Sequence, residues 1–238
     1  MMHRMFLAVS LFGAVLAASP YPGAAAESVV LAPTPALDAP LAKTHGTETA
    51  ILSGGRFWGM QAVFQHVKGV TEALSGYTGG AAGTAHYDDV STGTTGHAES
   101  LKIVFDPSVI SYGTLLRVFV SVAMNPTELN YQGPDQGSQY RSEIWAETPE
   151  QRRIAEAYIR QLTADHTFPA PIVTRVANAM PFYPAEGYHQ NYATVHPDSF
   201  YIAYNDAPKV TALQRLFPNL YRSQPVLVRV AENAREPG

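Results

Sequence analysis

Residues 53–59, Ser-Gly-Gly-Arg-Phe-Trp-Gly, end one apolar stretch with two glycines and open another that is amphipathic. A strand that stops at glycine and runs straight into a helix leaves free backbone N–H groups and the positive end of the helix dipole at the junction. Such a place favours an anion or a thiolate. The residue found there is Arg56, a cation, which is unfavourable by roughly 0.3–1 kcal/mol if exposed. Either Arg56 carries its charge out to water while Phe57 and Trp58 join the core, or the junction is the mouth of a site whose chemistry Arg56 has changed.

Other chemistry is poorly supported. The eight histidines contain no pair at the i, i+4 spacing of a helical zinc site, and there is no cysteine to assist them, so no metal centre is expected. Gly76, Gly79, Gly80 and Gly83 are not followed by Lys-Ser/Thr, so they read as a flexible rim and not as a phosphate loop. Ser91 to Gly96 is turn material, and no Ser/His/Asp arrangement stands out.

The junction resembles the Gly-Cys-Phe-Trp-Gly signature of the type A peptide methionine sulfoxide reductases, with Arg56 in the place of the cysteine. Further blocks of that family follow in its order and approximate spacing: GYTGG at 76–80, Tyr87, TGHAE at 95–99, FDPS at 105–108, QGPDQGSQYRS at 132–142 and FYPAEGYHQNY at 182–192. Together they span about residues 50–228. The resemblance implies that Phe57 and Trp58 form the apolar pocket for the sulfoxide methyl group. It implies that Tyr87, Glu99 and Tyr140 hydrogen-bond the sulfoxide oxygen, with Glu99 as general acid, and that Asp135 lines and orders the site. Those residue types suit the reaction, because a sulfoxide oxygen leaves only once protonated and a carboxyl group among aromatics keeps its proton to higher pH. Two departures from the common family pattern are Gln61, where glutamate is frequent, and Met124, where histidine is frequent.

In the family the cysteine at position 56 attacks the sulfoxide sulfur and becomes a sulfenic acid, which a further thiol resolves. Both thiols are missing from this chain. The resemblance therefore implies methionine-S-sulfoxide in peptides or proteins as substrate, no bound cofactor, and an external thiol reductant of the thioredoxin or dithiothreitol type. It equally implies no turnover for the chain as written, since arginine has no accessible two-electron oxidation. A guanidinium beside Glu99 is further expected to lower that carboxyl pKa and make it half of an ion pair. Three readings stay open: a reductase whose cysteine codon changed by one base, a non-catalytic module that binds oxidised methionine or a similar small polar ligand, and an enzyme of different chemistry. No replacement nucleophile supports the third.

The elements that must position these residues read as follows. A strand from Glu48 ends at the glycines. Phe57, Met60, Val63, Phe64 and Val67 share one face of a helix over 57–68, with Gly69 beyond it. Strands over 70–77 and 98–105 flank a Gly/Thr-rich loop, and Ser111 can cap a helix to about residue 122. A strand over 139–146 precedes Thr148-Pro149-Glu150-Gln151, a capping box that opens a helix to about 163. A strand over 172–176 follows, and the aromatic and proline-rich stretch from Pro181 reads as a coil wrapping the sheet. This order predicts an α+β fold, a ferredoxin-like split βαβ two-layer sandwich with an extended C-terminal coil.

The whole chain has 238 residues, 46% of them hydrophobic, and a formal net charge of -4. It is long enough to bury a core, and it lacks the basic footprint of a nucleic-acid binder. Residues 1–26 read as a signal peptide, with His3 and Arg4, an apolar stretch from Met5 to Ala18, and Ala24-Ala25-Ala26 before Glu27. Export to the periplasm is the localisation expected, with no membrane attachment after cleavage. An Ala/Pro-rich linker is expected over 27–47, the reductase-like domain over 48–230 as a monomer, and a tail over 231–238.

Overall fold

The computed structural model describes residues 29–230. The expected signal peptide and the 231–238 tail lie outside the described residues. In chain order the regular elements are β1 (Glu48–Ser53), α1 (Phe57–Gln65), β2 (Val70–Thr78), α2 (Tyr87–Ser91), β3 (Ala98–Phe105) and α3 (Tyr112–Val118). Then come β4 (Tyr131–Gln132), β5 (Asp135–Gln136), β6 (Glu143–Ala146), α4 (Pro149–Ala164), β7 (Arg175–Asn178), β8 (Phe182–Pro184), α5 (Tyr192–Val195) and α6 (Ala207–Leu216).

The large sheet has the order β7-β6-β1-β3-β2-β8. Within it β6, β1, β3 and β2 are antiparallel neighbours, the split βαβ arrangement that the order of elements implies. β7 extends one edge parallel to β6, and β8 extends the other antiparallel to β2. β1 is central and its last four residues, Leu52 among them, are fully buried. Its apolar side chains join Met60, Val63 and Phe64 of α1, Leu101 and Ile103 of β3, and Leu115, Leu116 and Phe119 in one core. β4 and β5 form a separate two-stranded hairpin that carries Asp135.

Several boundaries differ from the sequence expectation, each for a tertiary reason. α1 stops at Gln65 because the chain beyond it is taken by the C-terminal segment: Val67 bridges Tyr221, and the Lys68 N–H donates to the Leu220 carbonyl at 2.7 Å. The strand expected over 139–146 begins only at Glu143, since Ser138–Tyr140 forms a tight 3-10 turn after Gly137 at φ 135°. The strand expected over 172–176 lies at Arg175–Asn178, in register with Glu143–Ala146, while the Val173 N–H goes to the Pro126 carbonyl. α3 runs on through a π-helical turn over Phe119–Ala123, capped at its start by the Ser111 hydroxyl. The Thr148 hydroxyl caps α4 through the Gln151 N–H, but the Gln151 amide accepts from Glu147 N–H and donates to the Thr49 carbonyl, so it ties the helix to β1. The C-terminal coil carries β8, α5 and the ten-residue α6, which packs on α1. Pro208 sits in the first turn of α6, where a missing N–H is harmless.

The segment expected to be a tether has no helix or strand, yet it is packed. Ala32 is fully buried, its N–H donates to the Ser121 hydroxyl, and its carbonyl accepts from Arg117 Nε at 2.8 Å. The Tyr158 hydroxyl donates to the Pro33 carbonyl. Asp38 accepts the Gly113 N–H at 2.8 Å and the Ser111 hydroxyl, so it caps α3 from outside the helix. Small side chains and proline give no periodic signal but fit between two helices. Asp38→Ala should lower stability by about 1 kcal/mol, as loss of a cap does. The measurement is a lower urea midpoint with an unchanged slope.

Candidate active site

Gly55 takes φ 85°, a left-handed conformation open to glycine, and an added Cβ would stand 2.6 Å from Gln132 Cβ. That turn brings Arg56 to the N-cap of α1 with an extended backbone and its side chain directed towards Tyr87 at the start of α2 and Asp135 of β5. Arg56 is held by several partners at once. One terminal nitrogen donates to Asp135 Oδ1 at 2.7 Å and to the Tyr140 hydroxyl at 3.2 Å, and the other donates to the Tyr87 hydroxyl at 3.4 Å. The guanidinium carbon lies 4.9 Å from the Trp58 ring centroid, 5.0 Å from that of Tyr201 and 5.4 Å from that of Tyr140. The Tyr201 hydroxyl donates to the second Asp135 oxygen. The side chains of Arg56 and Asp135 are only 16% and 9% exposed, so Arg56 does not snorkel to water.

Glu99, on β3 opposite Tyr77, is fully enclosed and accepts the Phe57 N–H at 2.9 Å. Its carboxyl oxygen thus satisfies one orphan donor of the α1 N-terminus. Burial pushes its pKa up to about 8, against the downward pull of the Arg56 charge and of the Phe57 N–H. The sequence expectation of an Arg56–Glu99 ion pair is therefore corrected. Arg56 pairs with Asp135, and Glu99 keeps a proton through neutrality because desolvation outweighs the neighbouring charge.

The pocket walls are aromatic. Phe57 is fully buried against Tyr77 and His189, and Trp58 stacks on Tyr192 with centroids 3.8 Å apart. The sequence reading assigned no role to four residues that help build the site: Glu186, His189, Tyr192 and Tyr201. Glu186 accepts from the Tyr77 hydroxyl and the Tyr87 N–H, which fixes the start of α2. His189 packs on Tyr87 with centroids 4.4 Å apart, and burial lowers its pKa to about 4, so it is neutral. Glu186, His189 and Tyr192 belong to the FYPAEGYHQNY block and could have been found there. Tyr201 has no local signal, since only folding brings it to Asp135.

This C-terminal wall is tied to α1 by amides. Gln61 donates to the Ala73 carbonyl and to Gln190 Oε1, and accepts the Asn191 N–H at 2.7 Å. Gln65 donates to Asn191 Oδ1, and Gln190 donates to the Ser75 carbonyl. Met124, the other departure, is a core residue against Gly54, whose added Cβ would meet its Cγ at 2.8 Å. Arg56, Tyr87, Asp135 and Tyr140 are thus in direct contact, Trp58 borders them, and Glu99 and Phe57 stand behind. Among the described residues no three His, Cys, Asp or Glu side chains gather as a metal site.

The Glu99 shift has a sign that can be measured. In the unfolded chain this carboxyl titrates near 4.5 and in the folded chain near 8. Between those values the folded state binds more protons. The contribution is full below the lower value and is lost as pH rises through the upper one. His189 acts in the opposite sense, losing stability as pH falls from 6.5 towards 4. Glu99→Gln should therefore remove a decline in melting temperature between about pH 5 and pH 8.5, while leaving the acid limb in place.

The family model for peptide methionine sulfoxide reductase matches residues 48–220. The peptide methionine sulfoxide reductase MsrA 2 of Mesorhizobium japonicum is 58% identical over 188 residues, which is 79% of this chain and 96% of the relative. The protein of the same name from Synechocystis is 45% identical over 194 residues, 81% of this chain and 91% of the relative. Among solved structures, methionine sulfoxide reductase A of Corynebacterium diphtheriae aligns with a TM-score of 0.53 at 32% identity, covering 65% of this chain and 77% of that one. Reduced Mxr1 from Saccharomyces cerevisiae gives 0.56 at 26% identity, covering 68% and 95%. With the match running from the first residue of β1 to beyond α6, this chain belongs to the peptide methionine sulfoxide reductase family.

Proposed function

We propose that this protein keeps the methionine-S-sulfoxide pocket of its family without the means to reduce a sulfoxide. One observation carries the reading: Arg56 stands at the N-terminus of α1, at the position of the family nucleophile, and none of the 238 residues is cysteine. Reduction of a sulfoxide by a thiol forms a sulfenic acid and a thioether, so the oxygen moves to sulfur and the thiol supplies the electron pair. Two equivalents of an external thiol then return the cysteine and release water and a disulfide. Guanidinium has no electron pair to give in this way. Losing the nucleophile of a hydrolase leaves water to react slowly, but here the lost group is also the reductant.

The rest of the machinery supports the substrate class. Glu99 holds its proton near neutrality and can serve as general acid to the leaving oxygen, Tyr87 and Tyr140 can donate to that oxygen, and Phe57 and Trp58 offer the apolar wall for the methyl group. Binding of sulfoxide without conversion is the weaker reading, because Arg56 already occupies Tyr87, Tyr140 and Asp135. A thiol donor of the thioredoxin type would serve an active form, acting directly on the sulfenic acid. We place the protein outside the cytoplasm on the strength of the signal-like residues 1–26.

The test is Arg56→Cys, assayed with dithiothreitol on N-acetylmethionine sulfoxide epimers beside the unsubstituted chain. The substituted protein should turn over the S epimer only, and the unsubstituted protein should show none. Turnover by the thiol-free chain, with its mass verified, would sink the proposal.

A further inference from the structure

The guanidinium of Arg56 is surrounded in a way that a neutral sulfoxide does not require. Three aromatic rings, Trp58, Tyr201 and Tyr140, lie within 5.4 Å of its central carbon. Each presents the negative face of its quadrupole to a cation. A carboxylate closes the fourth side at 2.7 Å, and its other oxygen is fixed by the Tyr201 hydroxyl. Towards Arg56 the hydroxyls of Tyr87 and Tyr140 act as acceptors. The groups facing position 56 are thus rings and oxygen acceptors, the set that recognises alkylated cations.

We propose that the pocket of this chain is a cation cage of the alkylguanidinium class, and that Arg56 is its resident ligand, tethered through its own backbone. The inference rests on the pocket assignment made above but not on the loss of turnover. The occupied state is closed. A sulfoxide oxygen needs donors, and the terminal nitrogens of Arg56 already donate to Asp135, Tyr87 and Tyr140, while its buried Nε makes no hydrogen bond. A sulfoxide methyl group needs the ring faces that the guanidinium covers. Position 56 therefore acts as an autoinhibitory plug as well as a missing nucleophile. Removing the side chain while keeping Asp135 and the three rings should leave a cavity that takes a free cation of the same shape and charge.

The experiment follows thermal unfolding of the full chain and of Arg56→Gly with methylguanidinium chloride, dimethyl sulfoxide, and sodium chloride as an ionic control. Arg56→Gly should melt below the unsubstituted protein. Methylguanidinium should raise its melting temperature saturably, with half-effect at roughly 1–10 mM for so small a ligand. The unsubstituted protein, whose cage is filled, should not respond beyond the salt control. Asp135→Asn in the Arg56→Gly background should abolish the response. The proposal is overturned if methylguanidinium does no more than sodium chloride, or if dimethyl sulfoxide stabilises Arg56→Gly at lower concentration than methylguanidinium.

Should Arg56→Gly fail to fold, Arg56→Cys offers a kinetic readout: methylguanidinium should raise KM for the sulfoxide several-fold at unchanged kcat. An active Arg56→Cys that is insensitive to methylguanidinium would overturn the cage and leave the family chemistry standing. An inactive Arg56→Cys that still gains thermal stability from methylguanidinium would overturn the functional proposal and leave the cage.

Discussion

The buried pair between Arg56 and Asp135 is the constraint around which the pocket is arranged. A charge withdrawn from water at a helix N-terminus, where the dipole is already positive, is stable only if an opposite charge and good geometry offset the desolvation. Asp135 supplies the charge from a two-stranded hairpin, Tyr201 holds the carboxylate from the far end of the chain, and three ring faces cover the guanidinium. Segments more than 60 residues apart in sequence therefore meet at one side chain. The separate position of Glu99 follows from this. With Asp135 taking the charge, Glu99 is left to the Phe57 N–H and to an enclosed environment that keeps it protonated.

Behind the pair, neutral groups do the positioning. The amides of Gln61, Gln65, Gln190 and Asn191 fasten the C-terminal segment to α1 and β2 with no formal charge among them. Buried amides that satisfy one another carry a much smaller desolvation cost than buried ions. The stack of Trp58 on Tyr192 depends on this fastening, because Tyr192 directly follows Asn191.

Local chemistry made part of this legible from sequence. β3 falls where a strand over 98–105 is expected, the Ser111 and Thr148 caps are used, and Arg56, Phe57 and Trp58 stand at a strand-to-helix junction as the paired glycines imply. Features decided by distant partners were not legible. The early end of α1 depends on Leu220 and Tyr221, the register of β7 on β6, and the burial of Ala32 on Arg117 and Ser121. The same holds in the site. The choice of Asp135 over Glu99 as the partner of Arg56 is made by the tertiary fold, which spacing along a chain cannot express.

The ready partner that Arg56 finds in Asp135 separates two histories that are easily confused. A residue that ends the chemistry here enters a lattice of contacts that the fold can use. Asp135, Tyr201, Tyr140 and Trp58 then serve folding, whatever their service to catalysis. Selection for a folded chain would by itself retain these side chains, so an intact-looking reaction centre is not in itself a sign of turnover.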